Sequence, residues 1–273
     1  MKNNKEILYQ NDLLLDAVKL NNIEKAKAAI INGADINLKD DKEAPLLMWA
    51  AYKTNLDFVK FLIQMGADCT TKGLIDDGKK GFYGNLNSIA AGEEKMKLLK
   101  YFIEELNIDV DDDEQSIDNK PGWTALQWAV SKNNPKIIKY LIKKGANPNP
   151  IYLNLTILHR VIRHQNVKVF DLLLKAGSSI INNNVNITLL ADACRLDNDY
   201  FVDKLIDLGA DLNELSSGAP ALLYAVGHGK LDRCKMLISK GANPHQKDLR
   251  GNTALSIAQH LKLNKLDKYL KKI

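Results

Sequence analysis

Gly33-Ala34-Asp35, Gly66-Ala67-Asp68, Asn107-Ile108-Asp109, Gly145-Ala146-Asn147, Gly177-Ser178-Ser179, Gly209-Ala210-Asp211 and Gly241-Ala242-Asn243 repeat one short signal along the chain. Successive copies lie 33, 41, 38, 32, 32 and 32 residues apart. Each follows an apolar-periodic stretch, and the leading glycine of six of the seven supplies the left-handed conformation that ends a helix. Recurrence at near-fixed spacing marks a tandem array of one supersecondary unit. Units of this kind bury their apolar faces only against neighbours. The array therefore offers an open surface suited to macromolecules rather than a closed pocket suited to chemistry.

A second string stands 21 residues upstream of most stop signals. Examples are Pro45-Leu46-Leu47-Met48-Trp49-Ala50-Ala51, Thr124-Ala125-Leu126-Gln127-Trp128-Ala129-Val130 and Thr188-Leu189-Leu190-Ala191-Asp192-Ala193-Cys194, with a further copy of the string at Thr253-Ala254-Leu255-Ser256-Ile257-Ala258-Gln259. It opens a short helix, because threonine caps orphan amides and small residues further in let helices approach closely. A second apolar period follows, as in Ile137, Ile138, Tyr140, Leu141 and Ile142. Each unit thus reads as helix, turn, helix and a polar loop, with helices too short to persist alone.

These strings, with Asp248-Leu249-Arg250-Gly251-Asn252-Thr253-Ala254-Leu255-Ser256-Ile257-Ala258, resemble the ankyrin repeat. The resemblance implies an all-α solenoid of stacked helix-turn-helix units, with hairpin-like fingers beside a concave face of first helices. The expected organisation is one domain over 1–273. It would comprise an N-terminal capping repeat at 11–41, repeats at 42–77, 78–118, 119–150, 151–182, 183–214 and 215–247, and a C-terminal capping repeat at 248–273. Only His159 keeps the family's histidine. The third unit departs furthest, with Asn87 where leucine belongs and long connections on both sides, so no packing solution is evident there.

Composition agrees with a folded, intracellular chain. Hydrophobic residues make up 45% and charged residues 26%, which argues against disorder. A net charge of +5, spread over the helices, does not demand a nucleic-acid partner. Cys69, Cys194 and Cys234 are far apart in sequence and fit a reducing compartment rather than a disulfide framework or a zinc site. The polar start and the lack of a long apolar run point to a cytoplasmic protein with no membrane span, although a secreted effector is compatible with the sequence.

Within each first helix, the positions four, seven and eight after the opening Thr or Pro share one face. That face carries Trp49, Tyr52 and Lys53, then Trp128 and Lys132, then Arg160, Arg163 and His164, then Asp192 and Arg195, then Tyr224 and His228. These types suit a partner surface better than a core, and Trp, Tyr and Arg dominate binding hot spots. The candidate contacts are therefore Trp49, Tyr52, Trp128, Arg160, Arg163 and Arg195, joined by Trp123 just before a first helix. Tyr152, Leu153 and Leu155 form an apolar finger, and Phe82 and Tyr83 in the inserted 73–84 loop are further anchors or internal packing.

No catalytic or cofactor signature is present, and no cofactor or metal is expected. Residues 73–80 approach a phosphate loop, but Lys80 replaces the hydroxyl residue and Asp76-Asp77 opposes phosphate. Asp109, Asp111, Asp112, Asp113 and Glu114 lack calcium-loop spacing and read as a solvated acidic finger. His159 and His164 have no third ligand at helical spacing. The favoured function is a non-enzymatic protein-binding module, acting as a monomer on a protein whose identity the sequence does not give. Abundant Lys, Asn and Ile fit an AT-rich microbial genome, where such an array could neutralise a toxin or act as a host-directed effector. Nucleic-acid binding through Lys53, Lys132, Arg160, Arg163 and Arg195 is the disfavoured alternative.

Overall fold

A computed structural model describes residues 4–76, 81–112, 122–181 and 187–273, the side chains of 81–83 excepted. The fold is all-α with short hairpins. It divides into two compact units, residues 1–147 and 148–273, each holding four of the eight helix pairs among the described residues.

In the first unit, first helices α1 (Asn4–Lys19), α3 (Leu46–Lys53), α5 (Leu86–Gly92) and α7 (Ala125–Ser131) pair with α2 (Ile23–Ile31), α4 (Leu56–Gln64), α6 (Met96–Lys100) and α8 (Pro135–Lys143). In the second unit, α9 (Ile157–Arg163), α11 (Leu189–Cys194), α13 (Ala221–Gly227) and α15 (Ala254–His260) pair with α10 (Val167–Lys175), α12 (Asp199–Asp207), α14 (Leu231–Ser239) and α16 (Asn264–Leu270). The fingers are hairpins: β1 (Gly73–Asp76) with β2 (Gly81–Gly84), and β3 (Ile151–Tyr152) with β4 (Leu155–Thr156). Isolated bridges at Lys39–Pro45 and Ser216–Ala219 make two more.

The cores follow from helical periodicity. Leu46, Met48, Phe58, Leu62, Ile89, Phe102 and Leu141 are buried in the first unit, and Leu158, Phe170, Leu173, Phe201 and Leu205 in the second. Phe170 and Phe201 meet edge to face at 5.1 Å. The first helix differs from expectation. It starts at Asn4 rather than near residue 11, and it leaves Leu8 and Tyr9 exposed.

Neighbouring repeats are tied through their loops. Asn37 Oδ1 accepts from Asp68 N at 2.8 Å, Asn149 Oδ1 from Ser179 N at 2.7 Å, and Asn213 Oδ1 from Asn243 N at 2.8 Å. The histidine in the first turn of α9 does the same for the fingers. Thr156 N donates to His159 Nδ1 at 3.1 Å, so the opposite nitrogen carries the proton and reaches Ile187 O at 2.6 Å. Ser88 replaces this device in the third repeat, its Oγ donating at 2.7 Å to the carbonyl of Trp123, which likewise precedes the next N-cap.

That third repeat is well packed, contrary to the sequence reading. All of α5 is buried, with Asn85 capping it through Ser88 N and Asn87 Nδ2 donating to Asp109 O at 2.9 Å. Its second helix holds one residue more than its neighbours. Asn55 to Gly66 and Asn134 to Gly145 each span eleven positions from N-cap to left-handed residue, whereas Lys95 to Asn107 spans twelve. A π turn at Tyr101–Glu105 absorbs the insertion, and Ile108 N reaches back to Phe102 O at 3.0 Å.

Most first helices end in one way. Asn21, Glu94, Asn133, Gln165, Gly229 and Lys262 take positive φ, and the next amide bonds back to the last turn, as Asn22 N does to Ala17 O at 2.8 Å. Helices α3 and α11 lack that residue, and a cation from a following repeat takes the bare carbonyls instead. Lys95 Nζ donates to Ala51 O, Tyr52 O and Thr54 O at 2.7, 2.6 and 2.9 Å. Arg233, almost wholly buried, reaches Cys194 O at 3.0 Å and the Leu196 carbonyl, and pairs with Asp199. Burial pulls the Lys95 ammonium down to about 8.

Lys95→Met leaves three carbonyls at the end of α3 without this donor and is expected to lower unfolding stability by about 2 kcal/mol. Lys60→Met, which removes an exposed pair with Glu105, should cost under about 1 kcal/mol. Urea titration of both variants checks the contrast, and equal losses refute the capping role. His159 gives a pH prediction. Burial holds its imidazole below the usual range, so between that lowered value and the ordinary 6.5 the unfolded chain binds a proton that the folded chain refuses. Stability should therefore fall as pH drops through 6.5. In α7 the equivalent position is Gln127, which accepts from Thr124 N without titrating. His159→Gln should accordingly flatten that part of the curve when urea midpoints are compared at neutral and mildly acidic pH.

Candidate functional site

The sequence-derived contacts fall into both units. In the first unit, Trp49 and Tyr52 are not surface residues. Trp49 is only 3% exposed, because its indole N–H donates to Asp40 Oδ2 at 2.8 Å at the base of the preceding finger. Asp40 in turn accepts from Lys42 N and Ala44 N, which shapes that finger. Tyr52 lies edge-on to Trp49 at 6.1 Å and is buried with it. Both therefore serve as structural joints and drop out as contacts. Asp40 was missed in the sequence because its role depends on a tryptophan nine residues away.

Trp123 and Trp128, expected on a finger and on a helix respectively, come together. Their rings lie 4.7 Å apart, and both remain half-buried. They form the aromatic part of the first unit's accessible face, with Lys132 also half-buried nearby on the same helix end.

In the second unit, the structure brings two of the predicted arginines, Arg163 and Arg195, to one carboxylate. Asp192, on α11, has a side chain 4% exposed and receives Arg163 Nε at 2.8 Å and Nη2 at 3.4 Å. Arg195 Nη1 stands 3.9 Å from Asp192 Oδ1. The Arg195 guanidinium also stacks 4.5 Å over the Tyr224 ring, whose hydroxyl donates to Ser216 O at 2.7 Å. Ser216 closes the network by accepting from Thr188 N at 2.8 Å, the N-cap of α11. Arg160 sits half-buried one turn before Arg163; burial first, and the like charge of Arg163 second, hold its guanidinium below its ordinary range. Sequence spacing found the arginines and Tyr224, whereas Ser216 gave no signal.

The finger ahead of α9 turns through Leu153 and Asn154 at φ 48° and 57°. Leu153 is 68% exposed in a backbone region that leucine rarely adopts, while Tyr152 and Leu155 are half-buried.

Other sequence candidates resolve differently. Within the acidic loop, Asp111 Oδ2 accepts from Asn147 N at 2.7 Å and Asp112 pairs with Lys72, so these groups bind neighbours rather than stand in solvent. Asp113 and Glu114 lie outside the described residues. The phosphate-loop-like stretch enters strand β1 at Gly73–Asp76, residues 77–80 lie outside the described residues, and so do the side chains of Phe82 and Tyr83. Burial pushes the Cys194 and Cys234 thiols up to about 12, which leaves them un-ionised. Among the described residues no three His, Cys, Asp or Glu side chains gather as a metal would require, and no helix is long and apolar enough to cross a membrane.

Known proteins share this pattern. A three-copy profile of ankyrin repeats matches residues 3–81 and 86–187, and a single ankyrin repeat matches 217–249. A putative ankyrin repeat protein of Rickettsia bellii is 29% identical over 157 residues, 57% of this chain and 81% of that protein. The ankyrin repeat and SAM domain-containing protein 6 of Danio rerio is 37% identical over 70 residues, covering 25% of this chain and 10% of its own length. Human inversin is 29% identical over 143 residues, 52% of this chain and 12% of inversin. The chain thus spans only a small part of these two vertebrate relatives. Ankyrin repeats are generally protein–protein interaction modules. Eight helix pairs among the described residues, fingers ahead of the first helices and family matches over most of the length make this chain a member of the ankyrin-repeat family.

Proposed function

We propose that the protein is a non-enzymatic binding module that captures a partner protein on its first helices and fingers, within a reducing, cytoplasmic compartment. The Arg160, Arg163 and Arg195 cluster carries this reading. Three residues of a hot-spot type, two of them held by one buried carboxylate and a fixed tyrosine, line one side of the short helices. Binding loses less side-chain freedom when such groups are already held in place. Chemistry is disfavoured at the one histidine set deep in this unit, since both of its ring nitrogens are engaged. Trp123 and Trp128 supply a second contact area in the first unit. Neutralising a toxin or acting on a host protein would use these same surfaces.

Affinity capture from the source organism's lysate, read by mass spectrometry, tests the proposal with wild type against an Arg160→Gln, Arg195→Gln variant. That variant keeps the Arg163–Asp192 pair and should remain folded by circular dichroism. A protein held by wild type and lost by the variant is the expected result. Equal retention by both overturns the assignment of this face, and capture of nuclease-sensitive material alone overturns protein binding in favour of nucleic acid.

A further inference from the structure

Resting on the protein-binding reading, we propose that the second unit's arginine face recognises an acidic segment of its partner, one that presents aspartate or glutamate carboxylates to Arg160, Arg163 and Arg195.

The charge pattern of the face supports this. Its carboxylate, Asp192, lies at the floor with 4% of its side chain exposed, whereas Arg163 keeps 44% of its side chain in solvent. An approaching chain therefore meets guanidinium edges and not the acid that positions them. The nearest further acid along the chain, Asp197, is engaged by Lys230. His164 and His228, both exposed at the ends of α9 and α13, add no negative charge.

Donor geometry points the same way. Asp192 takes the Nε and Nη2 edge of Arg163. A guanidinium carries five N–H donors in a planar fork, so the same side chain can serve a second carboxylate. Arg195 is held on Tyr224 at 4.5 Å, and stacking leaves the in-plane N–H edges of an arginine available. Arg160 is half-buried one turn before Arg163 on the same helix, α9.

Nucleic acid fits less well. A duplex-binding surface commonly engages about six to ten phosphates along a stripe, whereas this cluster offers three arginines, two of them at one acid, on a chain of net charge +5. Leu153, exposed on the finger that leads into α9, adds an apolar contact that a polypeptide can fill with a side chain.

Selection of phage-displayed random dodecapeptides on the full chain tests the inference without presupposing the partner. Selected sequences are expected to be net acidic, to bind more weakly as salt rises, and to lose about tenfold in affinity against Arg160→Gln, Arg195→Gln. Asp192→Asn, which releases Arg163 from the position the pair holds, should bind the same peptides more weakly. Circular dichroism and urea midpoints certify that each variant is folded. Selected peptides without acidic bias, yet lost by the double variant, overturn the acidic class and leave the binding-module reading intact. Failure to select any peptide overturns the acidic segment, and tighter binding of oligouridylate than of the selected peptides overturns both readings.

Discussion

A helix of seven residues has more ends than middle, and this governs the structure. The first helices from α3 onward contain six to eight residues, while an α-helix leaves four amides and four carbonyls unpaired at its termini. Nearly every backbone group of such a helix must find a partner elsewhere. Threonine or asparagine caps satisfy amides at the start of α5, α7, α11 and α15. Left-handed residues satisfy carbonyls at the end of six helices, and Lys95 and Arg233 take over at the other two. Because these two cations come from a later repeat, closing a helix end also joins repeats. Local and long-range order are the same interactions here.

The third repeat shows how far the pattern bends before it fails. Losing the usual leucine at Asn87 and gaining a residue in the second helix would each disrupt a rigid design. The polar side chain instead bonds to the carbonyl of Asp109, and Ser88 does for this repeat what His159 does for α9. The extra residue is confined to one π turn, so Phe102 and Leu99 still reach the core. Asn107 then supplies the positive φ that glycine supplies elsewhere. The loop that follows binds back through Asp111 and Asp112, which is why its acids are not simply solvated.

What the sequence revealed follows from which interactions are local. Stop signals and opening strings act within a few residues, so helix positions and the repeat period could be read from Gly66, Gly145, Thr124 and Thr253 without the structure. Trp49 and Lys95 were opaque because their partners lie in a finger and in another repeat. A tryptophan on an expected outer face counts as a contact until Asp40 is known to receive its indole N–H. The arginines were legible for the opposite reason. A guanidinium can meet an internal carboxylate and still keep donors outside, so face periodicity grouped them even though their anchor, Asp192, turned inward.

Asp192 connects these observations. A carboxylate so nearly excluded from water is costly unless paired, and Arg163 offsets that cost with two charge-assisted hydrogen bonds. Replacing a buried ion pair by apolar groups is often neutral or stabilising, so the presence of such a pair is weak evidence of a stability role. What the pair does provide is position: it fixes Arg163 on one helix with respect to Arg195 and Tyr224 on the next two, and does so before any partner arrives. In the first unit the comparable polar joint, Trp49 with Asp40, is internal and presents nothing outward. The same kind of joint, built from a forked cation in place of an indole, leaves N–H donors on the surface. This difference in donor number, more than any difference in fold, makes the second unit the better candidate for binding.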